Sequence, residues 1–319
     1  MIRWLTLIAL AVLGVVVSVM QGDLALSFSD VVAVFTGGGS AAHRAVILEF
    51  RLGRAVVALV VGAALAYSGA LTQSVARNGL ASPDILGVTN GASLAAVAAI
   101  VFGWGMTPVA AILGAALTAV AMVFLAGRGR SMVQIVLVGV GLSMFLSSLT
   151  TWLLAYAQLD RAASARMWMA GSLNGRDWHH AWVPLATVVI AVALAGWLSF
   201  QLAALSLGDA TAHILGHNVR LAQLIQLLVA VVLAAVAVAA AGPIGFLAFV
   251  SPHVARMVSR APTPPLLFSA AVGATALLWA DIVARVVLPW PLPVGVVTAF
   301  LGAPLLFILV MRTRAKETV

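Results

Sequence analysis

The stretch 221–241, LAQLIQLLVAVVLAAVAVAAA, decides how this chain must fold. It holds no charged residue, and its only polar side chains are Gln223 and Gln226. Wound as a helix, such a run is about 30 Å long, the thickness of a bilayer's hydrocarbon core. Arg220 stands before it and Gly242-Pro243 after it, so polar punctuation marks both ends. Working outward, the same pattern of apolar runs between Gly, Pro and charge predicts spans near 4–20, 54–76, 85–103, 107–127, 131–156, 181–204, 221–241, 244–258, 266–288 and 294–311. The eighth is short for a full crossing and is expected to be tilted, broken or shielded by neighbours. The fold class is therefore an all-α polytopic membrane protein of about ten helices, with 1–319 as one transmembrane domain.

Composition agrees. Of the 319 residues 63% are apolar and 8% charged, with a mean hydropathy of +1.15. Soluble domains are about half apolar and about a quarter charged, so a soluble reading is excluded. The longest polar breaks, 21–50 and 157–180, are too short for a folded soluble domain. The first run, 4–20 after Arg3, reads as either a cleaved leader or a retained span; the polytopic remainder favours retention. The net charge of +8 comes from scattered arginines without a basic tract, which argues against nucleic acid. Cysteine is absent, which removes disulfides, thiolate metal sites and a cysteine nucleophile.

An even span count puts both termini on one side. With the termini cytoplasmic, connections on that side carry Arg3, Arg77, Arg128, Arg130, Arg220, Arg256, Arg260, Arg312, Arg314 and Lys316, ten against seven outside. The seven are Arg44, Arg51, Arg54, Arg161, Arg166, Arg176 and Arg285, an external excess that asks for a cause. On this map spans 2–5 and 7–10 run in opposite directions, as an inverted repeat requires.

The source of energy is constrained by what is missing. A phosphate-binding loop needs a lysine after glycine, and the single lysine, Lys316, follows Ala315. The acidic residues fall at span ends or in connections, which leaves little for proton or sodium coupling. Energy delivered by a separate cytoplasmic protein remains. The stretch 206–218 reads as the handle: Ser206 as N-cap, Asp209 three residues on as in a capping box, and Gly216 as the stop. Its apolar residues Leu207, Ala210, Ile214 and Leu215 suit either a partner's groove or the bilayer surface.

On the fifth span Ser143, Ser147 and Thr151 recur every four residues and share a face, with Thr150 beside them. They suit a wet path or close helix packing equally. No metal site is expected: His179-His180 sit beside Trp178 and Trp182 at an interface, and the His213/His217 pair lacks an acid at useful spacing. His253 has no derivable role. Catalysis is unsupported, because there is no Gly-x-Ser-x-Gly elbow and the acids are dispersed.

Six ordered motifs carry a resemblance over nearly the whole chain. They are Arg51-Leu-Gly-Arg54 with Val61-Gly-Ala-Ala-Leu-Ala66 and Ser68-Gly69; Arg77-Asn-Gly-Leu80-Ala-Ser-Pro-Asp84-Ile-Leu-Gly87; Leu207-Gly-Asp209; Gly242-Pro-Ile-Gly-Phe246; Pro252-His-Val-Ala-Arg256; and Ala280-Asp281-Ile-Val-Ala-Arg285 with Leu292-Pro-Val-Gly295 and Gly302-Ala-Pro304. The chain resembles the FecCD/BtuC-type permease subunits of bacterial ABC importers for iron chelates and cobalamin. The run Leu80–Gly87 and the loop Gly171–Trp178 look most like the ferric-citrate and siderophore branch.

The resemblance implies a type II importer permease in the bacterial inner membrane. It implies a homo- or heterodimer of permease subunits, two cytoplasmic ATPases that bind the ATP and magnesium, and a periplasmic substrate-binding protein. No cofactor is implied in this chain. Arg51, Arg54 and Arg285 take the positions that meet acidic residues of the binding protein, a task suited to the arginine fork. The Asp281–Arg285 spacing of one helical turn offers an internal partner as well. Ser206, Leu207, Gly208, Asp209, Ala212, Leu215 and Gly216 map onto the ATPase-contacting helices. Asn78 and Leu80 match an Asn-Pro-Leu element of the cytoplasmic gate, with Gly79 for proline, and Ser131 and Met132 lie where a second gate element is implied, although the sequence there departs from the cobalamin permease. The resemblance also favours a path reading for Ser143, Ser147, Thr150 and Thr151. The implied function is import of a ferric siderophore or similar chelate, with heme or cobalamin import and an ion-coupled carrier as alternatives.

Overall fold

The structure is a computed structural model that describes residues 2–22, 26–84, 86–127, 132–287, 290 and 292–317. Among these residues it is helical throughout, without a strand. In chain order the helices are α1 (Ile2–Met20), α2 (Phe28–Phe35), α3 (Ala41–Arg44), α4 (Leu52–Ala76), α5 (Val88–Phe102), α6 (Thr107–Leu125), α7 (Met132–Tyr156) and α8 (Leu159–Met169). There follow α9 (Trp178–Ala193), α10 (Ala195–Ser206), α11 (Asp209–Ile214), α12 (Val219–Ala241), α13 (Leu247–Ser259), α14 (Leu266–Ile282) and α15 (Val294–Glu317). Two π-helical turns join them: Ala45–Arg51 runs α3 into α4, and Val283–Val287 extends α14.

Among the described residues six segments are long and apolar enough to cross a membrane: α1, Ala41–Ala76, α6, Gln134–Tyr156 in α7, α12 and Leu266–Val287. The pair α9 and α10, bent by 58°, makes a seventh as a broken span. The sequence predicts one continuous helix there; Gly196, a weak helix former, sits just beyond the bend. The remaining three expected spans coincide with shorter pieces: α5 with 15 residues, α13 with 13, and Val294–Phe307 in α15. The short eighth span expected from Gly242-Pro243 is therefore found as α13.

The start of α5 shows why it is short. The predicted span begins at 85, yet the helix begins only at Val88, behind Gly87 in the left-handed region. A Cβ on Gly87 would lie 3.1 Å from Ser143 Oγ, well inside α7. Ala81 to Asp84, with Leu86 and Gly87, thus lie within the bundle, where surrounding protein replaces solvent. The Asp84 carboxylate accepts there from the Thr89 hydroxyl at 2.5 Å.

At the centre stands α4, packed most extensively on α14 and then on α12, α13 and α9. Its Ala, Gly and Ser content lets backbones approach, the usual solution where lipid offers no hydrophobic drive between helices. A Cβ on Gly62 would strike the Gly273 carbonyl of α14, and one on Gly69 would strike the Ala248 carbonyl of α13. Three side chains then tie α4 to its neighbours. Tyr67 Oη donates to Ala191 O at 2.9 Å, Ser68 Oγ to Ala230 O at 2.6 Å, and Gln73 Nε2 to Phe249 O at 3.0 Å.

Candidate functional site

The predicted residues gather at the two ends of α4 and along α7. Arg51, Arg54 and Arg285 converge at the N-terminal end of α4. The two π turns place two of them, since Arg51 closes the first and Arg285 lies in the second. A π turn carries one extra residue per turn and so re-aims the side chains after it. Arg51 is buried, and its Nη1 donates to the carbonyls of Val19 at 2.8 Å and Met20 at 3.1 Å. Arg285 donates from Nη2 to Ser18 O at 2.8 Å and Ser18 Oγ at 2.6 Å, and from Nη1 to Gln21 O at 3.0 Å. Both guanidinium groups therefore cap the last turn of α1, whose carbonyls have no partner within that helix.

Arg54 is the most exposed of the three, with 20% of its side chain accessible. It grips Asp281 from two nitrogens, Nη2 to Oδ1 at 2.7 Å and Nε to Oδ2 at 3.0 Å, and its Nη1 faces Asn174 Oδ1 at 3.5 Å. Asp281 is fully buried, and its Oδ2 also lies 3.5 Å from Arg285 Nε. The Asp281–Arg285 pair expected from spacing is thus the weaker contact; the π turn swings Arg285 towards α1. Nothing in the spacing reveals the 227-residue partnership of Arg54 with Asp281.

Beside this cluster the loop before α9 is held by Asp177, which caps α9 by accepting from His179 N at 3.0 Å. A hydrogen bond from the His180 ring holds the Asp177 carboxyl below the usual carboxylate range.

The opposite end carries the predicted handle. Leu207, Ile214 and Leu215 are exposed while Ala212 is buried. The short helix is present as α11, but it opens differently from the capping box expected at Ser206. Ser206 is the last residue of α10, with its hydroxyl donating to Ala203 O at 2.7 Å. Gly208, at φ 100 and ψ 151, is the N-cap, a conformation essentially reserved for glycine. Asp209 begins the helix, and Gly216 at φ 83 follows its end as expected.

Asp209 has a partner that sequence reading missed. Arg77 pairs with its carboxylate and also donates to Leu205 O at 2.7 Å. Arg77 is the left-handed C-cap of α4 at φ 49, directly before the residues expected to form a gate. There Asn78 Oδ1 accepts from Leu80 N at 2.9 Å, Leu80 is exposed, and Gly79 packs on the His253 ring. Ser131 lies outside the described residues, as does the side chain of Met132.

On α7, Ser147 and Thr151 are exposed on the surface of the single chain, and Ser143 faces Gly87 with its hydroxyl buried. Thr150 is buried, its hydroxyl donating to Leu146 O at 2.9 Å, so it does not share their exposed face. Among the described residues no group of three or more His, Asp or Glu could hold a metal ion.

Comparison with known proteins identifies the family. Residues 10–312 match the FecCD transport family. The chain is 38% identical to the ferric enterobactin transport system permease protein FepG of Escherichia coli (strain K12), covering 99% of this chain and 98% of that protein. It is 40% identical to the Fe(3+) dicitrate transport system permease protein FecD of the same strain, over 85% of this chain and 87% of FecD. A solved inward-facing conformation of a metal-chelate type ABC transporter superposes with a TM-score of 0.87 at 30% identity, covering 97% of this chain and 98% of that one. An all-helical chain with these spans, matched from end to end, belongs to the FecCD transport family of ABC importer permeases.

Proposed function

We propose that this permease imports a ferric siderophore or a similar iron chelate across the bacterial inner membrane, with both termini cytoplasmic. Two permease subunits form the path between them, separate ATPases drive it from inside, and a periplasmic binding protein delivers the cargo. The observation that carries this reading is the polarity of α4. A guanidinium-rich cluster sits at one end, and at the other sits the short helix α11, with exposed Ile214 at its end and exposed Leu207 and Leu215 beside it.

On this reading Arg54 presents its accessible edge to acidic residues of the binding protein, while Arg51 and Arg285 hold the platform rigid from beneath. Leu207, Ile214 and Leu215 enter a groove on the ATPase, and closure of the ATPases moves α11. The permease halves then tilt as rigid bodies, giving alternating access. Ser147 and Thr151 line the path weakly, as suits a bulky cargo that must not be retained. The iron chelate is supported by the similarity to enterobactin and dicitrate permeases. Asp84 does not favour ion coupling, because its carboxylate is engaged by Thr89 close to it in the chain.

The test is reconstitution of the permease with its ATPase and binding protein in liposomes, then uptake of labelled ferric siderophores, ferric citrate, heme and cobalamin. ATP-dependent accumulation of a ferric chelate is the expected result. Preference for heme or cobalamin would overturn the cargo, and accumulation by the permease alone on an ion gradient would overturn the energy source.

A further inference from the structure

The gate element Asn78–Leu80 is fastened on two sides. On one side Gly79 lies against α13: a Cβ there would be 3.1 Å from His253 Cε1. That ring is itself fixed, stacked on Phe249 at 5.9 Å and accepting at Nε2 from Arg256 Nη2 at 3.2 Å. On the other side the residue adjoining Asn78 is Arg77. Its guanidinium reaches both Leu205 O in the last turn of α10 and the carboxylate of Asp209 at the start of α11. A single residue thus touches the gate through the main chain and the short exposed helix through its side chain.

Two facts argue against a merely static role. The pair is half exposed, 45% for Arg77 and 58% for Asp209, so screening leaves it little weight in holding the fold together. Arg77 also occupies a left-handed backbone position where glycine fits without cost, so its side chain is present despite the backbone. Strained positions of this kind gather at switching elements.

We infer that Arg77 is the positioning residue that transmits movement of α11 to the inner gate, with Asp209 as its grip and His253 as the fixed wall against which Gly79 turns. Displacement of α11 drags Arg77, and with it the first residue of the gate, without passing through the rest of the bundle. The inference rests on the reading of α11 as the ATPase-facing helix and on that of Asn78–Leu80 as the inner gate.

The chain has no cysteine, so Leu80→Cys gives a single reporter thiol on the gate. In the reconstituted complex its maleimide labelling rate is measured with and without ATP, alongside uptake per ATP hydrolysed. Arg77→Gly is expected to abolish the nucleotide-dependent change in labelling and to lower uptake per ATP about three- to tenfold. Asp209→Asn should act in the same direction but less, because the bond to Leu205 O survives. The exchanged pair Arg77→Asp with Asp209→Arg should recover both readouts in part, because the ion pair is remade but the bond to Leu205 O is not. Unchanged labelling response and unchanged uptake per ATP in Arg77→Gly and Asp209→Asn would overturn the inference. Ile214→Glu separates the underlying reading: if ATPase association survives it, α11 is not the ATPase-facing helix. If association is lost there while Arg77→Gly remains coupled, only the link fails.

Discussion

Asp281 is the residue on which the arginine end depends. It is fully buried between Arg54 and Arg285, and a buried carboxylate is tolerated only when paired and hydrogen-bonded. Asp281→Ala leaves two largely buried guanidinium groups facing each other, and removal of one partner from such a site costs about 3–5 kcal/mol. Thermal unfolding in detergent should register that loss, whereas Arg54→Lys should cost less yet weaken binding-protein affinity, since an ammonium cannot hold Asp281 from two nitrogens and still present a third outward. Equal affinity for the lysine variant would remove Arg54 from the docking surface. The sequence made these three arginines legible as a set, through their excess on one side and their motifs. Spacing exposed the Asp281–Arg285 pair but hid the stronger internal partners, because those are carbonyls of α1 and, for Arg54, an acid 227 positions away, joined only by tertiary packing.

At the level of elements, hydrophobic runs locate the helices well, while their joints escape notice. The bend between α9 and α10 lies inside an apolar stretch. The π turns at Ala45–Arg51 and Val283–Val287 each carry charge, and α5 starts late behind Gly87, but a charged residue or a glycine alone does not distinguish a π turn or a delayed start from an ordinary helix end. The opening of α11 is hidden for a related reason. Ser206 and Asp209 have capping-box spacing, but Gly208 can adopt a conformation closed to serine, and the chain turns there instead. Gly208→Ala is therefore expected to strain the turn by about 1–3 kcal/mol and to shift Asp209. Uptake per ATP in the reconstituted complex should fall, and an unaltered ratio would show that the turn tolerates a side chain. The cap of α9 allows a further check. Asp177→Ala should destabilise by about 1 kcal/mol, and Asp177→Asn by less, because asparagine still caps but gives up the carboxylate's bond to His180. Since the His180 bond lowers the Asp177 carboxyl, the charge-dependent part of its contribution is present above the usual carboxylate pKa and is lost as pH falls through the lowered value. The difference in melting temperature between wild type and Asp177→Ala should therefore narrow in acid to the part that a neutral cap supplies.

For the molecule as a whole, the decisive feature is the small-residue seam around α4. The sequence displays it as Val61-Gly-Ala-Ala-Leu-Ala66 and Ser68-Gly69 but does not say what lies opposite. The answer is main chain: the Gly273 carbonyl in α14 and the Ala248 carbonyl in α13. A backbone wall cannot swing aside as a side chain does, so Gly69→Val should prevent α13 from seating. Expression in the membrane and resistance to heat should both collapse, while the same change at Gly141, which has open space around it, should be tolerated. If Gly69→Val folded normally, the packing of α13 against α4 would be wrong.

Because α4 is one uninterrupted run of 25 residues ending just before Arg77, with Arg54 in its first turn, neither extremity can be displaced in isolation. Linkage then works in both directions. If a delivery protein seated at Arg54 favours one tilt of this rod, it must alter nucleotide affinity at the far pole. Occupied nucleotide sites must in return change how tightly the delivery protein is held, by the same factor.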